Sequence, residues 1–116
     1  AVPQSHVDFL RGLQLTYETD GLCFAHAGIR PGVPLAQQDE EDLLWIRREF
    51  HHYGKPHPKL IVHGHTPVRE ATHYGNRVNL DTAAGYGQPL TAAVFEGERV
   101  WRLTAKGRLP MEPAYA

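Results

Sequence analysis

The chain has 116 residues, a length that suits one small domain with a core of modest size. At 41% hydrophobic residues and a formal net charge of −1, it has neither the basic excess of a nucleic-acid binder nor the bias of a disordered tail. No stretch approaches the roughly 20 apolar residues that span a bilayer, and no basic segment followed by an apolar core opens the chain, so a cytoplasmic protein acting on neither nucleic acid nor membrane is expected.

The elements follow in order. From Ser5 to Leu13 the apolar residues Val7, Phe9, Leu10 and Leu13 recur at helical spacing, with Ser5 as a cap, predicting a helix that packs on a sheet. Residues 15–18 and 22–25 flank Asp20-Gly21 and read as a β-hairpin. The single cysteine, Cys23, lies in the second of these strands; it permits no internal disulfide and reads as a small buried hydrophobe rather than a nucleophile. That strand, Leu22-Cys23-Phe24-Ala25, ends in His26-Ala27-Gly28.

The segment Arg30-Pro31-Gly32-Val33-Pro34 fits neither strand nor helix, and a helix is predicted from Asp39 to about Phe50, capped by Asp39, with acids in its first turn and Arg47-Arg48 in its last. On such a helix the neighbours facing Arg47 are Leu43, Leu44, Phe50 and His51, none an acid, which leaves Arg47 free for a functional role. His51, His52 and His57 lie in or beside a Tyr-, Gly-, Lys- and Pro-rich loop at a spacing that matches no standard zinc pattern, and read as structural or exposed.

Leu60-Ile61-Val62 is an apolar strand that runs into His63-Gly64-His65-Thr66-Pro67. A buried strand brings the backbone to a sheet edge, glycine lets it turn closely, and an imidazole there can coordinate a transition metal. With His26 there are two strand-terminal histidines from separate strands, and strand ends are where α/β proteins assemble their chemistry. Two further hairpins are predicted, residues 68–73 with 77–80 around Gly75-Asn76, and residues 90–95 with 99–103 around Glu96-Gly97-Glu98. Residues 1–106 form the folded part, and residues 107–116 read as a poorly ordered tail.

His26-Ala27-Gly28, Trp45-Ile46-Arg47, Gly64-His65-Thr66-Pro67 and Asn79-Leu80-Asp81-Thr82-Ala83-Ala84 occur in the order and approximate spacing of the C-terminal half of calcineurin-like metallophosphoesterases. From about Val2 to about Leu103 the chain resembles the bacterial serine/threonine protein phosphatase type. The resemblance implies an α/β fold, the C-terminal half of a β-sandwich flanked by helices in α/β/β/α order. It further implies that His26 and His65 ligate one ion of a two-metal centre, with two divalent ions, Mn2+ foremost and Fe or Zn as alternatives, and that Arg47 grips substrate phosphate.

His63 stands where relatives often carry an apolar residue; its order, His-Gly-His, differs from the G-H-x-H pair of some of them, and it is expected to support a ligand from behind or to pack. Asp81 is expected either to orient a ligand histidine or to cap its own turn. Ala83 replaces a family glycine.

The family's D-x-H, G-D-x-x-D-R-G and G-N-H-E motifs, which supply the other ligands and the general acid, do not occur. With Ala1 at the start, the reading is a fragment whose missing N-terminal half completes the site, inactive alone. The implied reaction is hydrolysis of a phosphomonoester, phosphoserine or phosphothreonine in a protein. The alternatives are a symmetrical diadenosine tetraphosphatase and a non-catalytic remnant that binds phosphate or metal.

Overall fold

The computed structural model describes residues 1–114. Short apolar runs bounded by turn residues become eight strands: β1 Thr16–Glu18, β2 Leu22–Ala25, β3 Leu60–His63, β4 Thr72–His73, β5 Arg77–Asn79, β6 Ala93–Glu96, β7 Arg99–Thr104 and β8 Gly107–Pro110. Three helices, α1 Gln4–Arg11, α2 Glu40–Trp45 and α3 Arg48–His51, accompany them.

The first five strands make a mixed sheet in the order β1-β2-β3-β5-β4, in which β2, β3 and β5 run parallel and the outer two antiparallel. The last three form an antiparallel sheet in the order β6-β7-β8. Period-two alternation sorts the side chains of the first sheet. Leu22, Leu60, Val62 and Val78 face the second sheet and bury against Val100, with Phe24, Phe95 and Met111 beside them. Cys23, Ala25 and Ile61 face the other way and pack under Leu43, Ile46 and Phe50. Helix, sheet and second sheet thus form three layers of the expected four; no outer helical layer over the second sheet is formed by the described residues.

The three hairpins form at the predicted turns, with registers such as Tyr17↔Phe24, His73↔Val78 and Phe95↔Val100. Other expectations are corrected. Helix α1 starts from Pro3, with Ser5 inside it rather than capping it, and it buries no residue: Phe9 and Leu10 are 68% and 62% exposed, since no element among the described residues packs over its apolar side.

The single helix expected from Asp39 to Phe50 is two. In a continuous helix the Leu43 carbonyl would accept from the Arg47 N–H; here it accepts from the Ala27 N–H at 2.8 Å, and the backbone is non-helical at Ile46 (ψ 145°) and Arg47 (φ −133°, ψ −94°). The helical neighbours assigned to Arg47 therefore do not apply. Residues 107–110, expected in a disordered tail, are strand β8, paired with β7 through contacts such as Leu103↔Arg108. Residues 111–114 depart from that expectation as well, with the Met111 N–H donating to the Val100 carbonyl and the Ala114 N–H to the His73 carbonyl, and residues 115–116 lie outside the described residues.

Candidate metal and phosphate site

Parallel pairing builds the site. β2 and β3 are neighbours with Phe24 opposite Val62, and the ladder continues past their ends where the Gly64 N–H donates to the His26 carbonyl at 2.8 Å. Residues that leave the two strands in the same direction are held side by side, and His26 Nε2 stands 3.2 Å from His65 Nδ1. The rings meet edge to face with centroids 4.9 Å apart.

Two nitrogens each about 2.1 Å from one ion stand about 3 Å apart when adjacent in its coordination sphere, so this separation suits a shared ion as well as a hydrogen bond. Burial, then the neighbouring His26 and Arg47, push the His65 imidazole below the usual histidine range, toward the neutral form a ligand needs. Among the described residues no cluster of three or more His, Cys, Asp or Glu side chains is placed to hold an ion. The residues present fit part of a metal centre, two donors of the four to six an ion takes.

The backbone at His65 is unusual. Its φ is +69°, and the Thr66 N–H donates to the Gly64 carbonyl at 2.8 Å, a γ-turn with a positive φ at its centre, which is a rare and strained form. Ala83, in place of the family glycine, also has a left-handed backbone, with φ +64°.

The other candidates fall around this pair. Arg47 is exposed beside a cleft bordered by Trp45 and Asp42, and its charge is felt at His65; Trp45, 65% exposed, sets its ring edge-on to His65 at 5.5 Å. Asp81 lies behind Gly64 and accepts from the Ala83 N–H at 3.0 Å through Oδ1, which makes it a turn cap. His63 is 4% exposed under α3, with burial first and Arg77 second pushing its imidazole down to about 3. His51 and His57 pack around Phe50, half-buried, while His52 is exposed. Cys23 is buried, and burial pushes its thiol up, away from nucleophilic use.

Three residues that carry the site were given no role in the sequence reading, although Gly28 and Asn79 stand in its motifs. Gly28 has φ +141°, and a Cβ there would overlap the Phe50 ring. Asn79, 1% exposed, donates through Nδ2 to the Thr66 carbonyl at 2.8 Å and accepts from the Asp81 N–H at 2.9 Å, tying the loops after β3 and β5 together. Arg77 is a buried cation on β5. The alternation along Arg77-Val78-Asn79 was the available signal, since it turns two polar side chains onto a covered face.

Beside His26, His65 and Asp81 opens a cleft of about 920 Å³ with a largely apolar wall that includes Leu10, Leu13, Leu15 and Phe24. Its polar lining includes His26, His63, His65 and Glu40.

The chain is 38% identical over 85 residues to the bis(5'-nucleosyl)-tetraphosphatase PrpE (asymmetrical) of Anoxybacillus flavithermus, a match over 61% of this chain and 35% of that protein. It spans about a third of the length of this curated relative. That relative is a metallophosphoesterase of the calcineurin-like superfamily, and the likeness does not extend to the protein phosphatase type. No protein-family profile and no solved structure matches the chain.

Proposed function

We propose that this chain is the C-terminal part of a metal-dependent phosphoesterase whose substrate is a dinucleoside polyphosphate, cleaved off-centre. The observation that carries the reading is the meeting of His26 Nε2 and His65 Nδ1 at 3.2 Å at the ends of two parallel strands. The substrate class is taken from the relative's name, and it replaces phosphoserine and phosphothreonine as the leading choice, as well as the symmetrical form of the dinucleotide alternative.

In this reading His26 and His65 hold one ion of a pair, Mn2+ foremost. Such ions supply an acidified water and offset charge on phosphoryl oxygens. The exposed Arg47 offers a planar fork to two phosphate oxygens. Trp45, whose ring meets that of His65, lines the cleft beside Arg47. Overall, a P–O bond to the leaving phosphate breaks and one to the water oxygen forms.

The remaining ligands and the general acid come from polypeptide beyond these residues. That polypeptide also covers the exposed apolar side of Phe9, Leu10 and Leu13.

The test uses the protein expressed from its complete coding sequence with Mn2+. Diadenosine tetraphosphate should yield adenosine tri- and monophosphate, resolved by ion-exchange chromatography, and His26→Ala or His65→Ala should abolish it. Phosphate release from a phosphothreonine peptide with none from the dinucleotide would move the reading to a protein phosphatase. Tight binding of phosphate with turnover of neither would leave the non-catalytic alternative.

A further inference from the structure

Arg77 is 7% exposed, and among the described residues no carboxylate pairs with it. Its guanidinium lies 3.8 Å from the Tyr74 ring centroid and 5.6 Å from that of Phe50, and Nη1 donates to His63 Nε2 at 3.0 Å. A guanidinium has no acceptor, so His63 Nε2 must be the lone-pair nitrogen and the ring proton sits on Nδ1. Nδ1 is 3.2 Å from the Gly64 carbonyl, to which it donates. With both nitrogens engaged, His63 is not itself a metal ligand in this arrangement.

The Gly64 carbonyl is the acceptor that closes the strained turn at His65, and the Gly64 N–H holds the His26 carbonyl. One residue, Gly64, therefore ties the backbone of both imidazoles through the two peptide groups that flank it, and His63, backed by Arg77, holds its carbonyl from the covered side of the sheet. The strand register makes this a diagonal contact, since Arg77 lies opposite Ile61, two residues before His63.

Building on the metal-centre reading above, we propose that Arg77 and His63 are positioning residues that brace the γ-turn at His65 and so set the approach of the His26 and His65 imidazoles to a divalent ion. The effect runs through hydrogen bonds to backbone, as supports of metal-ligating histidines commonly do.

The probe is Co2+ alone, titrated into the complete protein and followed by its visible absorption and by calorimetry. His63→Leu and Arg77→Met should weaken binding about 10- to 100-fold and change the absorption. His63→Asn, whose Nδ2 can donate where Nδ1 did, should stay within about threefold of wild type by the same logic. Wild-type affinity in His63→Leu and Arg77→Met overturns the proposal, as does a His63→Asn no better than His63→Leu.

Should the variants not fold, the 15N imidazole spectrum of the wild-type protein decides. A His63 proton on Nδ1 supports the brace, and one on Nε2 overturns it. If wild type binds Co2+ no more tightly than the His26→Ala/His65→Ala variant, the metal-centre reading falls and this one with it. Tight wild-type binding indifferent to Arg77 removes this proposal alone.

Discussion

Replacing Gly28 by alanine tests whether the glycine after His26-Ala27 is there for packing. Its φ of +141° is a conformation nearly confined to glycine, and imposing it on alanine costs about 1–3 kcal/mol. The new Cβ would also lie 2.8 Å from Phe50 Cγ and nearer still to Cδ2 and Cε2. Phe50 is 0% exposed and cannot swing into solvent, so overpacking adds about 1–3 kcal/mol. The sum, about 2–6 kcal/mol, is a large share of the 5–15 kcal/mol that holds a typical domain.

Gly32 provides the control. It also has a positive φ, +83°, but a Cβ there meets nothing within 4 Å, so Gly32→Ala should show the backbone cost alone, about 1–2 kcal/mol. Urea midpoints in the complete protein, read at unchanged slope, give both values. The double variant Gly28→Ala/Phe50→Leu should be more stable than the summed singles by about 0.5–3 kcal/mol, since the shortened side chain vacates the space. If Gly28→Ala costs no more than Gly32→Ala, the packing argument is refuted.

Ala83→Gly should raise stability by up to about 1 kcal/mol, because it removes a left-handed alanine at φ +64° against glycine's extra chain entropy; thermal unfolding measures it. Asn79→Ala strips the buried partners of the Thr66 carbonyl and the Asp81 N–H, and should cost about 2–4 kcal/mol in a urea titration, with a smaller loss weighing against the loop-tying role. Acid should destabilise the fold through His63. Between its ordinary value of 6.5 and about 3, the unfolded chain binds a proton that the folded one refuses. This contribution is intact above pH about 6.5 and is lost as pH falls, by up to about 1.4 kcal/mol per pH unit. His51, His57, His65 and His73 shift the same way, so the measured quantity is the difference in slope between wild type and His63→Asn; equal slopes would remove His63 as the cause.

Local pattern accounts for much of the architecture. Leu22–Ala25 stands as a strand at the predicted residues and Leu60–His63 runs one residue past the predicted Leu60-Ile61-Val62, because a short apolar run before a Gly- and Pro-containing turn has few other ways to bury itself. Strand-terminal position likewise pointed to His26 and to the His63-Gly64-His65 turn, and it took the resemblance to choose His65 over His63. What local pattern could not convey is partnership across the chain. The break at Ile46–Arg47 depends on an Ala27 N–H some sixteen residues away claiming the Leu43 carbonyl. Strand β8 exists because β7 offers it a free edge, although Gly107 and Pro110 read as breakers. Arg77 carried no role in the local pattern, and only the register places it diagonally behind His63. Helix α1 errs in the opposite sense, with a sound amphipathic pattern whose counterpart is absent from these residues.

The two rims of the five-stranded sheet differ in how they are finished. Along β4, the Ala114 N–H donates to the His73 carbonyl at 2.7 Å and Pro113 bridges His73, so the polypeptide after β8 caps that rim. Along β1 the outward N–H and C=O groups pair with no described strand, Tyr17 is 62% exposed, and the one charged side chain of the strand, Glu18, is engaged by Lys59 at 3.1 Å. An unfinished rim with little charge to repel a visitor is a template for strand addition. Residues 1–116 expressed alone should self-associate through β1 and precipitate, and Tyr17→Lys should keep them dispersed.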